Sequence, residues 1–252
     1  MTRLVFLGSA SAIADQHHEN ASLAIVSPGY TILVDCVGSP LPVLSRAHIN
    51  LDSISDIILT HFHPDHVSGL PLLLLGMWLS GREKPISIFG LDYTITRMQT
   101  LMEMYGWNNW PNFYPINYHI ISDEKYQPVL KYPEIKIIAS PVKHTIPTIG
   151  LRVELMGEKR SFAYSSDTQP DDAVIELGSR VDILIHEATG EGIGHSSPGQ
   201  AGEMATKAEA GELFLIHYPV NCVNIDELLK QAKDNFSGSV RLAEDYLQIE
   251  FS

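Results

Sequence analysis

The stretch DIILTHFHPDH constrains the fold most, because an apolar strand ends there in four metal-ligating side chains, His61, His63, Asp65 and His66. Three imidazoles and a carboxylate are costly to bury together, and a divalent metal ion would offset that cost. His61 and His63 are one residue apart in extended chain, so their side chains point the same way and can bind one ion. Asp65 and His66 follow Pro64, which fits the first turn of a helix and directs them to a neighbouring position. One short loop could therefore serve two ions about 3.5–4 Å apart.

Histidine and aspartate recur where later predicted strands end. These residues are His144, Asp167, His186 and His217. In a layered fold, one edge of a sheet collects such strand ends into a single site. Imidazole nitrogen suits zinc, and a carboxylate can bridge two ions. The other histidines lack this setting and are interpreted as ordinary polar residues: His17, His18, His48 and His119.

The order of predicted elements indicates a layered α/β protein. The chain of 252 residues has no low-complexity run and no linker rich in proline and glycine, so a single domain over 1–252 is predicted. Strands dominate the first part, and helices and strands alternate later, which predicts sheet layers with helices outside them. The segment 64–81 is expected to form one helix.

Composition limits the partners of this chain. A net charge of -13 disfavours long-range attraction of a polyanion, so a local positive site such as a metal cluster would have to bind one. With only Cys36 and Cys222, a disulfide scaffold is not expected and a cytoplasmic protein is expected. The apolar run at 69–81 is too short to cross a bilayer, so no membrane partner is expected.

Several motifs together resemble the ribonuclease Z branch of the metallo-β-lactamase superfamily. HFHPDH matches the superfamily signature HxHxDH, and FLGSASA and LVDC are similar to the opening strands of that branch. YSSDT resembles an SGDT-like motif at Asp167, LIHEAT matches a HEAT motif, and HSS at 195–197 is close to an HST motif. The resemblance covers nearly the whole chain. It implies a four-layer αββα metallo-β-lactamase sandwich with two zinc ions at one edge.

The resemblance also implies a ligand set. His61, His63 and His144 would hold the first ion. Asp65, His66 and His217 would hold the second, and Asp167 would bridge the two ions. The second histidine of the short motif favours zinc, although Mn²⁺ or Fe²⁺ would also fit these ligands. His186 is expected to support a ligand, and a homodimer is a family-level expectation.

The mechanism implied is hydrolysis by a metal-bridging hydroxide. Asp65 would orient this nucleophile while it binds the second ion. His195 would donate a proton to the leaving oxygen, and Glu187 would hold its ring in one orientation. The alternative is that Glu187 is a surface carboxylate and His195 an ordinary loop residue.

The substrate class stays open at this stage. Ribonuclease Z enzymes that process tRNA carry a long arm, in many of them between the motifs that match His144 and Asp167, and this interval has no room for one. The missing arm argues against tRNA as the substrate. The resemblance to ribonuclease Z implies a phosphodiesterase that acts on RNA or on a small cyclic phosphodiester. The same chemistry would hydrolyse a lactone, a β-lactam or a thioester, and a metal-binding protein without catalytic activity is the third alternative.

The segment 104–119 contains six aromatic rings, including those of Trp107 and Trp110. Such rings can stack on bases of a substrate. They can also pack a loop onto the core or form a dimer surface, and this second interpretation is favoured.

Overall fold

Two seven-stranded sheets face each other, and helices cover the outer face of each sheet. The computed structural model describes residues 1–221 and 224–251. The strands of the first sheet are β1 (Thr2–Gly8), β2 (Ser22–Ser27), β3 (Tyr30–Val34), β4 (Ile54–Ile58), β5 (Ile86–Leu91), β6 (Ile116–Ile121) and β14 (Gln248–Phe251). The strands of the second are β7 (Gln127–Lys131), β8 (Ile135–Val142), β9 (Thr148–Leu155), β10 (Arg160–Tyr164), β11 (Ile183–Glu187), β12 (Glu212–Ile216) and β13 (Ser239–Leu242).

The strand orders are β14-β1-β2-β3-β4-β5-β6 and β13-β12-β11-β10-β9-β8-β7. The helices are α1 (Pro40–Arg46), α2 (Pro64–Val67), α3 (Leu70–Leu79), α4 (Asp92–Met104), α5 (Asp172–Leu177), α6 (Pro198–Lys207) and α7 (Ile225–Lys233). None of the helices among the described residues is long and apolar enough to cross a membrane.

Side-chain alternation along the strands divides the core into three layers. On β4, Ile58 packs between the two sheets, whereas Ile57 packs under the helices of the first sheet. On β11, Ile185 faces the other sheet and Leu184 faces the helices of the second sheet. The predicted four-layer αββα sandwich is therefore confirmed.

The prediction of one helix over 64–81 is wrong, because α2 ends at Val67 and α3 begins at Leu70. A Cβ atom at Gly69 would lie 2.4 Å from the backbone oxygen of Val37, so the chain passes too close here for any larger residue. Sequence reasoning also missed the edge strands β6, β7, β13 and β14. These strands are short, four to six residues each, and the exposure pattern of β6 does not alternate regularly.

The carboxyl ends of the central strands meet at one edge of the sandwich. In the first sheet β3 and β4 are parallel, and in the second β10, β11 and β12 are parallel. β8 runs in the same direction as β10, because both are antiparallel to β9. Side chains that follow these strands consequently face one another across the two sheets.

Candidate metal centre

Three imidazoles from the two sheets converge on one point. Nδ1 of His63 lies 3.1 Å from Nε2 of His61 and 3.1 Å from Nε2 of His144. A tetrahedral ion with metal–nitrogen bonds of 2.0–2.1 Å would separate its ligand atoms by about 3.3 Å. With one carboxylate oxygen of Asp167, these nitrogens form a cluster that could hold a metal ion. This is the set of residues predicted for the first ion together with the predicted bridge.

A second cluster shares the carboxylate of Asp167. Oδ2 of Asp167 lies 3.5 Å from Nε2 of His66, 3.5 Å from Nε2 of His217 and 3.8 Å from Nε2 of His61. Oδ2 of Asp65 lies 3.4 Å from Nε2 of His217 and 3.8 Å from Nε2 of His66. One oxygen of Asp167 is therefore within reach of both groups of ligands, as a bridging ligand must be. The structure thus brings together all seven residues predicted as ligands.

Hydrogen bonds at Nδ1 leave Nε2 free in the buried histidines. Nδ1 of His66 donates to Oδ2 of Asp35 at 2.8 Å. Oγ1 of Thr60 donates to Asp35, so it accepts from Nδ1 of His61 at 3.0 Å. These bonds fix the tautomer that presents the Nε2 lone pair to a metal ion.

The same arrangement recurs in the second sheet. Nδ1 of His144 donates to the backbone oxygen of Gly194 at 2.7 Å. Oγ1 of Thr189 donates to the backbone oxygen of His217, so it accepts from Nδ1 of that residue at 2.7 Å. Each of these rings is held by a partner that lies outside the ligand set.

Asp35 is the main residue that the sequence prediction missed. Its carboxylate is buried at the end of β3 and accepts from His66 and from both the backbone N–H and the hydroxyl of Thr60. The available signal was its position, an aspartate directly after the strand YTILV, which is the criterion that identified Asp167.

Unpaired buried atoms indicate what the site is built to bind. Nε2 of His66 and Oδ1 of Asp167 are buried and have no hydrogen-bond partner among residues 1–221 and 224–251. Such atoms are rare unless an ion, water or ligand pairs with them. A donor set of imidazole nitrogen and carboxylate oxygen fits a divalent metal.

The histidines of the two clusters differ in their electrostatics. Burial and the neighbouring imidazole of His66 keep the pKa of His61 well below its ordinary value, and burial also lowers the pKa of His63 and His144. Burial lowers the pKa of His66 as well, but Asp167 and Asp35 outweigh this effect and hold it well above the ordinary value. The three histidines of the first cluster are therefore neutral and ready to bind a cation, whereas an ion at the second cluster must displace a proton.

Glu187 and His195 form a hydrogen-bonded pair beside the clusters. Nδ1 of His195 lies 2.9 Å from Oε1 of Glu187, which is fully buried. The carboxylate also accepts from the backbone N–H groups of Thr168, Thr189 and Ser196. The interpretation of Glu187 as a surface carboxylate is therefore wrong. Its hydrogen bond raises the pKa of His195, although burial opposes this.

The expectation that His186 supports a ligand is wrong. Its Nδ1 donates to the backbone oxygen of Glu187 at 2.8 Å, and within the described part of the chain its Nε2 has no hydrogen-bond partner. Successive residues of β11 face opposite sides of the sheet, so His186 lies on the side of Leu184, under the helices.

Three residues of the site adopt left-handed backbone conformations. The φ angles are 63° at Asp35, 54° at Ser166 and 54° at His217. Each residue lies at the end of a strand, where such a φ turns the chain sharply and redirects the side chain. Left-handed residues other than glycine cost about 1–2 kcal/mol each, and such strain clusters at functional sites.

The aromatic segment packs against the helices of the first sheet. Trp107, Trp110 and Phe113 are partly buried on the cluster that covers this sheet. The indole of Trp110 stacks on Trp78 with ring centroids 5.3 Å apart, and the hydroxyl of Tyr114 donates to the backbone oxygen of Leu74. These contacts confirm the packing interpretation that the sequence favoured.

An αββα sandwich with histidine and aspartate clusters at one edge defines a class of metal-binding proteins. The Beta-lactamase superfamily domain model matches residues 30–218, and the chain belongs to this family. It is similar to ribonuclease Z of Methanothermobacter thermautotrophicus, with 28% identity over 99% of this chain and 97% of the relative. It is also similar to ribonuclease BN of Cronobacter sakazakii, with 26% identity over 98% of this chain and 99% of the relative. The resemblance to the ribonuclease Z branch is thereby confirmed.

Solved structures share the fold. The metallo-beta-lactamase fold protein YhfI from Bacillus subtilis superposes with a TM-score of 0.84 at 24% identity, over 98% of each chain. The short form of human tRNase Z superposes with a TM-score of 0.79 at 23% identity, over 99% of each chain. At these identities the likeness establishes the architecture alone.

Proposed function

We propose that this chain is a metal-dependent phosphodiesterase of the ribonuclease Z type that works with two divalent ions, expected to be zinc. The observation that carries the proposal is the pair of clusters that share one oxygen of Asp167, with the buried Glu187–His195 pair beside them. Relatives named ribonuclease Z, aligned over nearly the whole chain, support the same activity.

The ligand residues would hold the ions, and the ions would supply an activated water and neutralise charge on the phosphate. Asp65 is half-buried, with Oδ2 3.4 Å from Nε2 of His217, so it could bind the second ion and still accept a hydrogen bond from the attacking water. Burial raises the pKa of Asp65, but His217 and His66 outweigh this and lower it. The carboxylate is therefore ionised at neutral pH, as an orienting acceptor must be.

His195 supplies the proton for the leaving oxygen. Because Nδ1 bonds to Glu187, its Nε2 is directed towards Asp167 and His217 in the site. The raised pKa keeps a larger fraction of the ring protonated at neutral pH, which suits a general acid. The alkoxide that a phosphodiester releases needs this proton, whereas the thiolate that a thioester releases does not, so the pair disfavours a thioester. A lactone and a β-lactam also need a proton at the leaving atom, and the relatives named ribonuclease Z favour a phosphodiester over these two.

The absence of an arm favours a short RNA or a small cyclic phosphodiester over folded tRNA. In the described part of the chain, β9 and β10 form a hairpin closed by the turn at 156–159. Two of the nearby cations are engaged elsewhere, since Arg160 pairs with Asp182 and Arg152 donates to the backbone oxygens of Leu177 and Ser179. The alignment with the Methanothermobacter relative runs over 305 positions against 252 residues here, so that relative carries segments that this chain lacks.

Metal content and a panel of four substrates test the proposal. Elemental analysis should find two ions per chain, and purified protein should hydrolyse bis-p-nitrophenyl phosphate and a 2′,3′-cyclic nucleotide faster than pre-tRNA or a lactone. A protein that binds no metal, or that cleaves only the lactone, would contradict it. The homodimer stays a prediction, to be checked by light scattering.

The variant His195→Ala tests the proton donor. It should slow hydrolysis of the cyclic nucleotide by about 10²–10⁴-fold while both ions stay bound. The exposed His17 provides the control, because His17→Ala should leave rate and metal content unchanged. A full rate in His195→Ala, or loss of metal from it, would refute the assignment.

A further inference from the structure

The loop between β11 and α6 contains three glycines, Gly190, Gly192 and Gly194, directly before His195. The backbone N–H of Gly190 donates to the backbone oxygen of Ser196 at 3.0 Å, which closes the loop at its base. The tip is open to solvent, and Ile193 is 87% exposed. Gly194 differs from this tip because it is buried against the metal centre.

Gly194 touches the metal ligand His144 directly. Its backbone oxygen accepts from Nδ1 of His144 at 2.7 Å. Its φ is +82°, and an added Cβ would lie 2.8 Å from Nδ1 of His144 and 3.1 Å from the backbone nitrogen of Thr145. Both the backbone conformation and the space at this position therefore require glycine.

The peptide group that holds His144 also carries the proton donor. Gly194 is bonded to His195, whose ring meets that of His144 with centroids 5.0 Å apart and an interplanar angle of 72°. On its other side His195 is fixed by Glu187. A displacement of this one peptide would therefore move a metal ligand and the general acid together.

We propose that Gly194 is a positioning residue that couples the orientation of His144, and thus metal affinity at the first cluster, to the placement of His195. The inference rests on the proposed metal-dependent hydrolase. It adds that displacement of the first ion would shift His195 and so impair proton donation to the leaving group. Displacement of His195 would in turn weaken binding of the first ion.

The three glycines provide a matched series of alanine variants. Gly192 has an ordinary φ, and no atom of the residues that the structure describes lies within 4 Å of an added Cβ. Gly190 has a φ of +132° but also has open space around an added Cβ. Gly194 combines a left-handed φ with close contacts. Gly190→Ala thus controls for backbone strain, and Gly192→Ala controls for loss of a loop glycine.

Three measurements separate the roles. Zinc affinity is measured by competition with a chromogenic chelator, and the Tm is measured on metal-free protein. The third is the ratio of rates on a 2′,3′-cyclic nucleotide, whose alkoxide leaving group needs a proton, and on bis-p-nitrophenyl phosphate, whose nitrophenolate does not.

Gly194→Ala should weaken zinc binding by about 10–100-fold, the usual effect of losing a support of a metal ligand. It should also lower the rate ratio by at least about tenfold, because proton donation is impaired. Gly190→Ala should lower the Tm by about 2–4 °C with zinc affinity and rate ratio unchanged. Gly192→Ala should match the wild type in all three measurements.

Wild-type zinc affinity and rate ratio in Gly194→Ala would overturn the proposal, as would equal losses in Gly190→Ala. If Gly194→Ala does not fold, hydrogen–deuterium exchange on the wild type decides. Zinc should slow amide exchange at 190–195 but not in the turn at 156–159, and unchanged exchange at 190–195 would count against coupling. The proposed function fails separately, if the wild type itself binds no metal or hydrolyses no phosphodiester.

Discussion

Replacing Asp35 by asparagine should weaken metal binding at the second cluster, although Asp35 is not itself a ligand. Its Oδ2 accepts from Nδ1 of His66 and from Oγ1 of Thr60, both at 2.8 Å, and its Oδ1 accepts from the backbone N–H of Thr60 at 2.8 Å. An asparagine amide can keep its oxygen towards the backbone N–H, but its NH₂ group then faces His66. His66 would have to accept at Nδ1 and carry its proton at Nε2, where a metal ion must bind.

The size of the effect follows from these contacts. Loss of a hydrogen-bond partner behind a metal ligand typically costs 10–100-fold in affinity, or about 1.4–2.7 kcal/mol. The first cluster should be affected less, because Asp35 reaches His61 only through the hydroxyl of Thr60. In metal-free protein, a mismatched buried polar group should lower the free energy of unfolding by about 1–3 kcal/mol.

The assay is a zinc titration against a chromogenic chelator, with stability measured in parallel by urea unfolding of the metal-free protein. Asp56 is the matched control, since it is also buried but accepts from the hydroxyl of Tyr132, outside the metal centre. Asp56→Asn should lower stability and leave both zinc affinities unchanged. Two ions bound to Asp35→Asn as tightly as to the wild type would refute the reasoning.

Three further predictions concern pH and backbone strain. Glu187→Gln replaces the charged acceptor that raises the pKa of His195 by a neutral amide, so the basic limb of the kcat–pH profile should move to lower pH, because the general acid must stay protonated. The raised pKa of His66 makes protons compete more strongly at the second cluster, so metal content should fall in two steps on acidification, with the second ion lost first; a single step would contradict this. Ser166→Gly should raise the free energy of unfolding by about 1 kcal/mol, because it relieves a left-handed φ of 54° and removes a buried hydroxyl that has no hydrogen-bond partner among the residues described. Ser165→Gly should lower the free energy of unfolding, because the Ser165 hydroxyl accepts from the backbone N–H of Glu187.

Much of the candidate site could be predicted because its ligands have local signals. The motif HFHPDH places His61, His63, Asp65 and His66 within one short loop. Asp167 and His217 each follow an apolar strand. His186 has the same signal but lies on the opposite face of β11, since the strand continues one residue further to Glu187. A shift of one residue reverses the face in a strand, and the apolar pattern alone does not fix where the strand ends.

By itself the sequence determined that sheet layers have helices outside them and which residues are able to bind metal, because strand periodicity and ligand chemistry are local properties. Only the tertiary structure decided which partners hold these residues in place. Asp35 reaches His66 across 31 positions, and Gly194 reaches His144 across 50, so neither contact has a local signal. A metal ligand is oriented by any donor or acceptor that lies beside its ring, whether from a side chain or from the backbone. Many different sequences could place such a group there.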